Sequence, residues 1–343
     1  MTPIGAPRHV PRAVAALVVL SCLAACSSAT ISDDALDSLD ELAQPPTSVA
    51  ATAPATTATT ISVDEATCEE RGWATASYRP TDPLPPPGEM PGGSYRREIP
   101  EDGRLVVGVD ENTLGFASRN TDTGAIEGFE VELARVIADS IDPNLVLDLK
   151  PTLTGNKRKV VVEGVVDLTI NANSMDCDRW EEVAFSTEYY TAVQQFLVRE
   201  DSPIRTGADV AGQRVCVTAG SSSERILREQ LPEAVPYPVP ARTDCLLALQ
   251  DGDVVAYFGH DSFLYGMMVM DPTVEVREGI IPESATVANY GIAINHEHRD
   301  FVEFVNAVLE EVRKGRWAEL HEQLQKDLPG IPDATPPDPR YRD

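Results

Sequence analysis

The sequence predicts an α/β fold made of two units, in each of which strands and helices alternate. Short apolar runs alternate with segments whose apolar residues recur at helical spacing, first over residues 104–171 and again over residues 213–269. Alternation of this kind is typical of a mainly parallel sheet covered by helices on both faces. A chain of 343 residues is also long enough to bury two such cores.

The N-terminal residues have the pattern of a signal peptide. Arg8 and Arg12 precede the apolar run AVAALVVLSCLAAC, which ends at Cys26. This run is too short to span a bilayer, and the small residues before Cys26 are typical of a cleavage site. The sequence LAAC resembles the lipobox of bacterial lipoproteins. We therefore expect residues 1–25 to be removed, and the mature chain to be anchored outside the cell membrane by lipid on Cys26.

Residues 26–94 are predicted to form a tether and a strap. The tether contains an acidic patch and then PPTSVAATAPATTATTIS, which has almost no large apolar residue to bury. Such composition predicts a flexible, extended segment. The following stretch is rich in Pro and Gly but includes Cys68 and Trp73. We expect it to have little regular structure and to be strapped onto the first unit by a disulfide. Residues 329–343 are predicted to be a proline-rich tail.

The elements of the two units can be placed from their apolar patterns. The first unit is predicted to contain strand 104–110, helix 128–140, strand 145–150, helix 156–163 and strand 166–171. The second is predicted to contain strand 213–218, helix 222–231, strand 235–239, helix 243–251, strand 254–258 and helix 260–269. A returning strand NYGIAIN and two helices, 298–314 and 316–327, complete the chain.

Charge and motifs argue against several classes of function. The net charge is −27 and no basic cluster is present, so nucleic acid and anionic membrane surfaces are poor partners. His296 and His298 have HxH spacing, but without a second ligand pair they predict a solvated helix start rather than a metal site. The sequence has no Walker A or dinucleotide-binding pattern and no identifiable catalytic triad. We expect no metal, no cofactor and no enzymatic activity.

The stretch VDLTINANSMDCDR, residues 166–179, is the strongest candidate for a binding site. An apolar strand runs into a corner of small polar residues, and Asp176 can then cap a helix whose first turn carries Arg179. Backbone N–H groups, a hydroxyl and a guanidinium at one point would form a carboxylate receptor. The alternative is that Arg179 only pairs with Asp176 or Glu182 on a helix surface.

Seven sequence blocks carry a family resemblance that favours the receptor. They occur in the order RLVVGVD, GFEVEL, VDLTINANSMDCDR, FSTEYY, GQRVCVTAGSSS, HDSFL and NYGIAI. From about residue 104 to residue 328, the chain resembles the family 3 extracytoplasmic solute-binding proteins of amino-acid ABC importers. Within that family it is most similar to glutamine- and glutamate-binding lipoproteins of actinobacteria.

The resemblance implies a type II periplasmic-binding-protein-like fold with two hinge crossovers and the ligand between two lobes. Lobe 1 would comprise residues 95–194 and 288–328, because the last elements pack back on the first lobe in this family. Lobe 2 would comprise residues 195–287. The resemblance also favours a disulfide between Cys216 and Cys245, as in some glutamate-binding members, and then one between Cys68 and Cys177. From the residues alone, four thiols allow three pairings.

The resemblance implies ligand contacts from both lobes. In lobe 1, Arg179 would bind the α-carboxylate of an amino acid, together with Ser174 and Ala172 at the corner. In lobe 2, Ser221 and Ser222 would close over that carboxylate, although on sequence alone they form an ordinary helix cap. Likewise, Asp261 is implied to receive the ammonium group of the ligand but could be only an N-cap.

The side-chain pocket is expected to be hydroxyl- and amide-lined. Asp110, Thr113 and Arg119 follow the first strand, where glutamine-binding members often place aromatic rings. Such a pocket suits a short polar or acidic side chain. Arg119 could equally be an exposed loop residue.

Two functions and a weaker third follow from this reading. We expect a monomer that binds glutamate, aspartate, glutamine or asparagine for an ABC permease. The alternative is a sensor lipoprotein that presents the same ligand to a membrane receptor. An enzyme on this scaffold would need a poised acid, and the loop residue Glu111 is a weak candidate.

Overall fold

The computed structural model describes residues 67–90, 99, 101–282 and 285–342, all within one compact unit that spans residues 64–343. The signal peptide, the lipid-bearing Cys26 and the tether predicted before residue 67 lie outside the described residues. None of the helices in the described ranges combines the length and apolar character that a membrane span requires.

Lobe 1 is built on a five-stranded sheet with strand order β5-β1-β6-β14-β7. Strands β5, β1 and β6 run parallel, and β14 is antiparallel to both β6 and β7. The strands are β1 (Arg104–Val109), β5 (Val146–Pro151), β6 (Leu168–Thr169), β7 (Ala184–Phe185) and β14 (Ala293–Ile294). A small antiparallel sheet lies beside it, formed by β2 (Asn112–Thr113), β3 (Ala117–Arg119) and β4 (Ile126–Glu127).

Five helices of lobe 1 have both ends among the described residues, and the longest ones bury one apolar face each. In α1 the residues Phe129, Leu133, Ile137 and Ile141 recur every four positions and are buried. The helices are α1 (Phe129–Ile141), α2 (Lys159–Val162), α3 (Cys177–Glu182), α7 (Arg299–Arg313) and α8 (Arg316–Asp327).

Lobe 2 contains a sheet with strand order β10-β9-β11-β8-β12. Strands β10, β9 and β11 are parallel, whereas β8 runs antiparallel to β11 and β12. The strands are β8 (Tyr190–Arg199), β9 (Arg214–Thr218), β10 (Val235–Val239), β11 (Ala256–His260) and β12 (Val274–Arg277). The helices are α4 (Ser222–Gln230), α5 (Arg242–Gln250) and α6 (Asp261–Met270).

Two strands cross between the lobes side by side. The ten-residue strand β8 pairs antiparallel with β13 (Val287–Tyr290), with Tyr190 opposite Tyr290 and Val193 opposite Val287. The N-terminal half of β8 continues from lobe 1, and its C-terminal half lies within the sheet of lobe 2. This paired ribbon is the hinge between two α/β lobes, so the predicted fold class is confirmed.

The N-terminal strap and the C-terminal tail pair with each other on lobe 1. Ser77 forms a parallel bridge with Tyr341, and its hydroxyl donates to the carbonyl oxygen of Phe185 at 2.6 Å. A disulfide between Cys68 and Cys177 joins the strap to α3. The second disulfide, Cys216–Cys245, joins β9 to α5 inside lobe 2.

Short elements depart from the sequence prediction. The predicted helix 156–163 is a 3-10 turn, Thr154–Asn156, followed by the single-turn helix α2. The predicted strand 166–171 pairs only at Leu168–Thr169, because the chain then turns into the polar corner. The small sheet β2-β3-β4 was not predicted, since strands of two or three residues leave no periodic pattern.

Candidate functional site

The corner after β6, residues 171–174, is fixed by hydrogen bonds with two buried ionisable side chains. Ala172 has a left-handed backbone, with φ 45°, which a residue other than glycine adopts only when its surroundings enforce it. Its amide donates to Glu130 Oε1 at 2.7 Å, and its carbonyl oxygen accepts from Lys157 Nζ at 2.9 Å. Lys157 also donates to the carbonyl oxygen of Asn171 at 2.9 Å. The corner is therefore fixed by side chains from two other elements.

Burial shifts the pKa values of both supporting ions. Burial raises the pKa of Glu130, against hydrogen bonds from Tyr189 and the Ala172 amide. Burial also lowers the pKa of Lys157 well below its usual range, and the nearby guanidinium groups of Arg242 and Arg179 lower it further. Both shifts mean that burial disfavours the charged form of the group, and an anion near Lys157 would favour its protonated, charged form.

Arg179 lies against the corner rather than on the protein surface. The Asp176 carboxylate caps α3 by accepting from the Arg179 backbone amide at 2.9 Å, as the sequence predicts. The guanidinium donates through Nη1 to the carbonyl oxygen of Ser174 at 2.8 Å, and only 8 % of the residue is exposed. Burial lowers the pKa of Arg179 to about 10, although Asp176 opposes the shift. This buried cation is suited to a carboxylate ligand.

The N-terminus of α4 faces the corner from lobe 2. Ser221 caps this helix by accepting from the Glu224 amide at 3.1 Å. The Ser222 hydroxyl lies 3.1 Å from the Ser174 hydroxyl of lobe 1 and 3.1 Å from His260 Nε2. Burial keeps the pKa of His260 well below its usual range, so its ring is a neutral hydrogen-bonding group. The first turn of α4 and Arg179 therefore line the same cavity from opposite lobes, and the amides at a helix N-terminus are suited to binding an anion.

Arg242 crosses the cleft in the opposite direction, from the first turn of α5 to lobe 1. Its Nη1 donates to Asp110 Oδ2 and to Thr113 Oγ1, the latter at 2.8 Å. Its Nη2 donates to Asn171 Oδ1 at 2.9 Å, and the guanidinium lies 4.9 Å from the centre of the Phe263 ring. Burial alone would lower the pKa of Arg242, but the Asp110 carboxylate reverses the effect and raises it.

These groups surround a cavity between the two lobes. It is almost filled by its own lining, with a volume of only about 10 Å³ left between the side chains, so the two lobes are nearly closed on each other here. Lobe 1 lines it with Thr154, Lys157, Ala172, Ser174 and Arg179. Lobe 2 lines it with Thr218, Ser221, Ser222, Ser223, Arg242, His260 and Phe263. The lining is rich in hydroxyls and cations and carries one phenyl and one imidazole ring, a chemistry that suits a small anionic or zwitterionic solute once the lobes open.

The structure brings most of the predicted contacts together. Five predicted residues line the cavity, namely Arg179, Ser174, Ala172, Ser221 and Ser222. Asp110 and Thr113 lie directly behind it, bound to Arg242.

Arg119 and Asp261 do not line this cavity. Arg119 lies on β3 of the small sheet, where it pairs with Glu111 at 2.6 Å and is 47 % exposed. Asp261 begins α6, and its Oδ1 accepts from the amides of Val193 at 3.0 Å and Ser262 at 2.6 Å. Burial raises the pKa of Asp261 to about 6. The Asp261 side chain is thus turned toward the hinge strand β8.

The sequence analysis did not identify three charged residues of the site. Glu130 lies in the motif GFEVEL and is buried on an otherwise apolar helix face. An acidic residue at an apolar position of the helical pattern could have identified it from the sequence. Lys157 and Arg242 gave no comparable signal, because each stands in a short polar stretch that is typical of a surface turn. Their partners lie 14 to 132 residues away in the sequence.

Comparison with known proteins agrees with this geometry. Residues 105–326 match the family described as bacterial extracellular solute-binding proteins, family 3. The chain belongs to this family. Among family members, the ABC transporter glutamine-binding protein GlnH of Bacillus subtilis is 26 % identical over 234 residues, which cover 67 % of this chain and 84 % of the relative. The glutamate-binding protein GluB of Corynebacterium efficiens is 26 % identical over 273 residues, which cover 75 % and 90 %.

Solved structures of solute-binding proteins share the two-lobed fold. A mutant of the arginine-binding protein ArgBP from T. maritima superposes with a TM-score of 0.62 at 26 % identity. The superposition covers 67 % of this chain and 99 % of ArgBP. The family 3 fold therefore accounts for both lobes, while the strap and tail lie outside the residues that match the family.

Proposed function

We propose that this protein captures a polar or acidic L-amino acid outside the cytoplasm and delivers it to an ABC importer. The observation that carries the proposal is the position of Arg179, buried at the inter-lobe cavity and facing the N-terminus of α4. A planar guanidinium on one side and helix N–H groups on the other can hold both oxygens of an α-carboxylate. The lobes already touch across the cleft in this structure, so a ligand would enter when they open and be enclosed when they close again.

The relatives support the class of ligand. Proteins named for glutamine and for glutamate binding match most of this chain. Relatives in Salmonella typhimurium and Escherichia coli are glutamate/aspartate import proteins. We therefore infer a ligand among glutamate, aspartate, glutamine and asparagine, with an ABC permease as partner.

The ligand ammonium group requires a carboxylate, and two are available. The family resemblance suggests Asp261, whose Oδ1 already accepts two backbone amides. The geometry favours Asp110, which is 5 % exposed and contacts the cavity-lining Arg242. We propose Asp110 as the principal ammonium partner. Weaker amino-acid binding in Asp110→Asn than in Asp261→Asn would support this assignment, and the reverse order would reject it.

We further propose that a lipid on Cys26 anchors the mature protein, as a monomer, to the outside of the cell membrane. The LAAC sequence and the tether that follows it support this assignment. Replacement of Cys26 by Ala should release the protein from carbonate-washed membranes without changing its affinity for ligand. A variant that remains in the membrane fraction would reject lipidation at this residue.

A thermal-shift screen against the twenty amino acids tests the ligand class. A ligand at about 100 times its dissociation constant stabilises the folded state by about 2.7 kcal/mol. We expect shifts with the four acidic and amide amino acids and little change with apolar ones. Delivery is tested by comparing uptake of the same amino acid in wild-type cells and in cells that lack the protein. Loss of the protein should reduce uptake if it serves an importer, whereas loss of a receptor-coupled sensor would leave uptake unchanged.

A further inference from the structure

Helix α3, which carries Arg179, is too short to hold its own position. It has six residues, and isolated helices shorter than about 12 residues are marginally stable in water. Within it, Arg179 and Trp180 are the buried residues. The orientation of α3, and with it the place of the Arg179 guanidinium at the cavity, therefore depends on contacts that other parts of the chain make with the helix.

The N-terminal strap holds α3 on both sides of Arg179. Cys177, the first residue of the helix, forms the disulfide with Cys68 of the strap. Trp180 donates through Nε1 to the carbonyl oxygen of Ala74, also in the strap, at 3.0 Å. One of these contacts falls two residues before Arg179 and the other falls one residue after it, so together they restrict how the helix can turn or shift.

The C-terminal tail completes this arrangement over Trp180. The guanidinium carbon of Arg342 lies 3.5 Å from the centre of the Trp180 ring, and the tryptophan is 6 % exposed. Nε of Arg342 donates to the carbonyl oxygen of Ala76 at 3.0 Å, which joins the tail to the strap. We refer to strap residues 68–78 and tail residues 341–342 together as the clamp.

The clamp has a fixed position on lobe 1. Asn306 of α7 is fully buried, and its Nδ2 donates to Ser77 Oγ at 2.8 Å and to the carbonyl oxygen of Tyr78 at 2.7 Å. Its Oδ1 accepts from the Thr187 amide at 2.6 Å. Because these hydrogen bonds tie the strap to the core of lobe 1, the clamp can set the position of α3 relative to that core.

We propose that the clamp is a positioning element for Arg179, so that its release lowers the affinity for the amino acid. The proposal rests on the proposed function, which assigns the α-carboxylate to Arg179. A guanidinium that is already in place does not have to be ordered by the ligand, and this ordering would otherwise reduce the binding free energy. The clamp lies outside residues 105–326, so it is an addition to the part of the chain that matches the family.

Calorimetry on the purified mature chain tests the proposal, with whichever of glutamate, aspartate, glutamine and asparagine binds the wild type most tightly. In Cys68→Ser/Cys177→Ser, we expect the affinity to fall about tenfold. Arg342→Ala should lower it in the same direction, by about three- to tenfold. The matched control in the tail is Arg340→Ala, which removes one exposed hydrogen bond to Thr75 and should change the affinity by about twofold or less.

A double-mutant cycle separates positioning from a general loss of stability. If the clamp acts through Arg179, Cys68→Ser/Cys177→Ser should change the affinity of an Arg179→Ala protein by about twofold or less. A tenfold loss in both backgrounds would show that the disulfide only stabilises lobe 1, and would overturn the proposal. Circular dichroism and the unfolding midpoint check that each variant is folded.

Arg342→Ala guards against a folding defect, because it leaves both disulfides intact. Wild-type affinity in the two clamp variants, with Arg179→Ala impaired, would overturn the proposal and leave the proposed function standing. If none of the four amino acids binds the wild-type protein, the proposed function fails and this inference fails with it.

Discussion

The ammonium nitrogen of Lys157 lies 2.9 Å from the carbonyl oxygen of Ala172, while Glu130 accepts from the amide of the same residue. Lys157 and Glu130 thus hydrogen-bond to the carbonyl oxygen and the amide of one residue with a left-handed backbone. These two hydrogen bonds fix the direction in which the chain leaves the corner toward Ser174 and α3. The position of the Arg179 guanidinium, which donates to the Ser174 carbonyl oxygen, depends on that direction.

Replacement of Lys157 by Met should destabilise the protein by about 2–4 kcal/mol, because two buried carbonyl oxygens lose a charged donor. Urea denaturation measures the change. The control is Lys150→Met, since Lys150 also donates to a carbonyl oxygen, that of Val165, but in an exposed hydrogen bond at 3.2 Å. The control should cost about 0.5 kcal/mol or less. Similar losses in the two variants would contradict a supporting role for Lys157.

Asp261 should make stability depend on pH. Burial raises its folded-state pKa to about 6, above the ordinary value near 3.8. Its stabilising contribution is therefore present below pH 4 or so and is lost as the pH rises through about 6. In Asp261→Asn the Oδ1 acceptor remains and the charge is removed. We expect this variant to be more stable than wild type by about 1–3 kcal/mol at pH 7.5 and equal to it near pH 4.

The control for Asp261 is Asp271→Asn, whose effect should have the opposite sign. Hydrogen bonds from Gln250 and Thr273 lower the pKa of Asp271, so its contribution is present at neutral pH and is lost as the pH falls. Chemical denaturation without added amino acid, at several pH values, measures both variants. A pH-independent difference between Asp261→Asn and wild type would contradict the assignment.

The C-terminal tail should contribute to the stability of lobe 1 through Arg342. Its guanidinium carbon lies 3.5 Å from the centre of the Trp180 ring, and Nε and Nη2 donate to the carbonyl oxygens of Ala76 and Trp73. We expect Arg342→Ala to cost about 1–3 kcal/mol. Arg340→Ala removes one exposed hydrogen bond to Thr75 and should cost much less. Equal unfolding midpoints for wild type and Arg342→Ala would show that the tail does not hold α3.

The Cys216–Cys245 disulfide should stabilise lobe 2. The two cysteines are 29 residues apart, and closing a loop of this size contributes about 3–4 kcal/mol in the chain-entropy model. A Cys216→Ala/Cys245→Ala variant should therefore unfold at lower urea concentration than wild type. Non-reducing peptide mapping that found either thiol free in the native protein would reject the pairing.

Features that depend on residues close together in the sequence could be predicted, whereas contacts between distant residues could not. The apolar spacing of α1 and the cap of α3 by Asp176 are local, so both could be predicted. Arg242 could not be placed, because its partner Asp110 is 132 residues away and belongs to the opposite lobe. Arg119 was open to two interpretations, and the structure places it on β3 beside Glu111, through a small sheet that the sequence did not predict.

The measurement that tests the account most directly is calorimetry of the best ligand from the amino-acid screen with Arg179→Ala. If the guanidinium holds the α-carboxylate at a desolvated cavity, its loss should cost about 2–5 kcal/mol of binding free energy, or about 30-fold to several-thousand-fold in affinity. Lys at this position should not restore binding, because it lacks the two-pronged geometry.

Arg225→Ala is the matched control, since Arg225 is 47 % exposed near the same helix cap and should change affinity by about threefold or less. The account predicts a large loss of affinity in Arg179→Ala, with circular dichroism and the unfolding midpoint close to those of wild type. Unchanged affinity in a folded Arg179→Ala protein would contradict the claim that this residue binds the ligand.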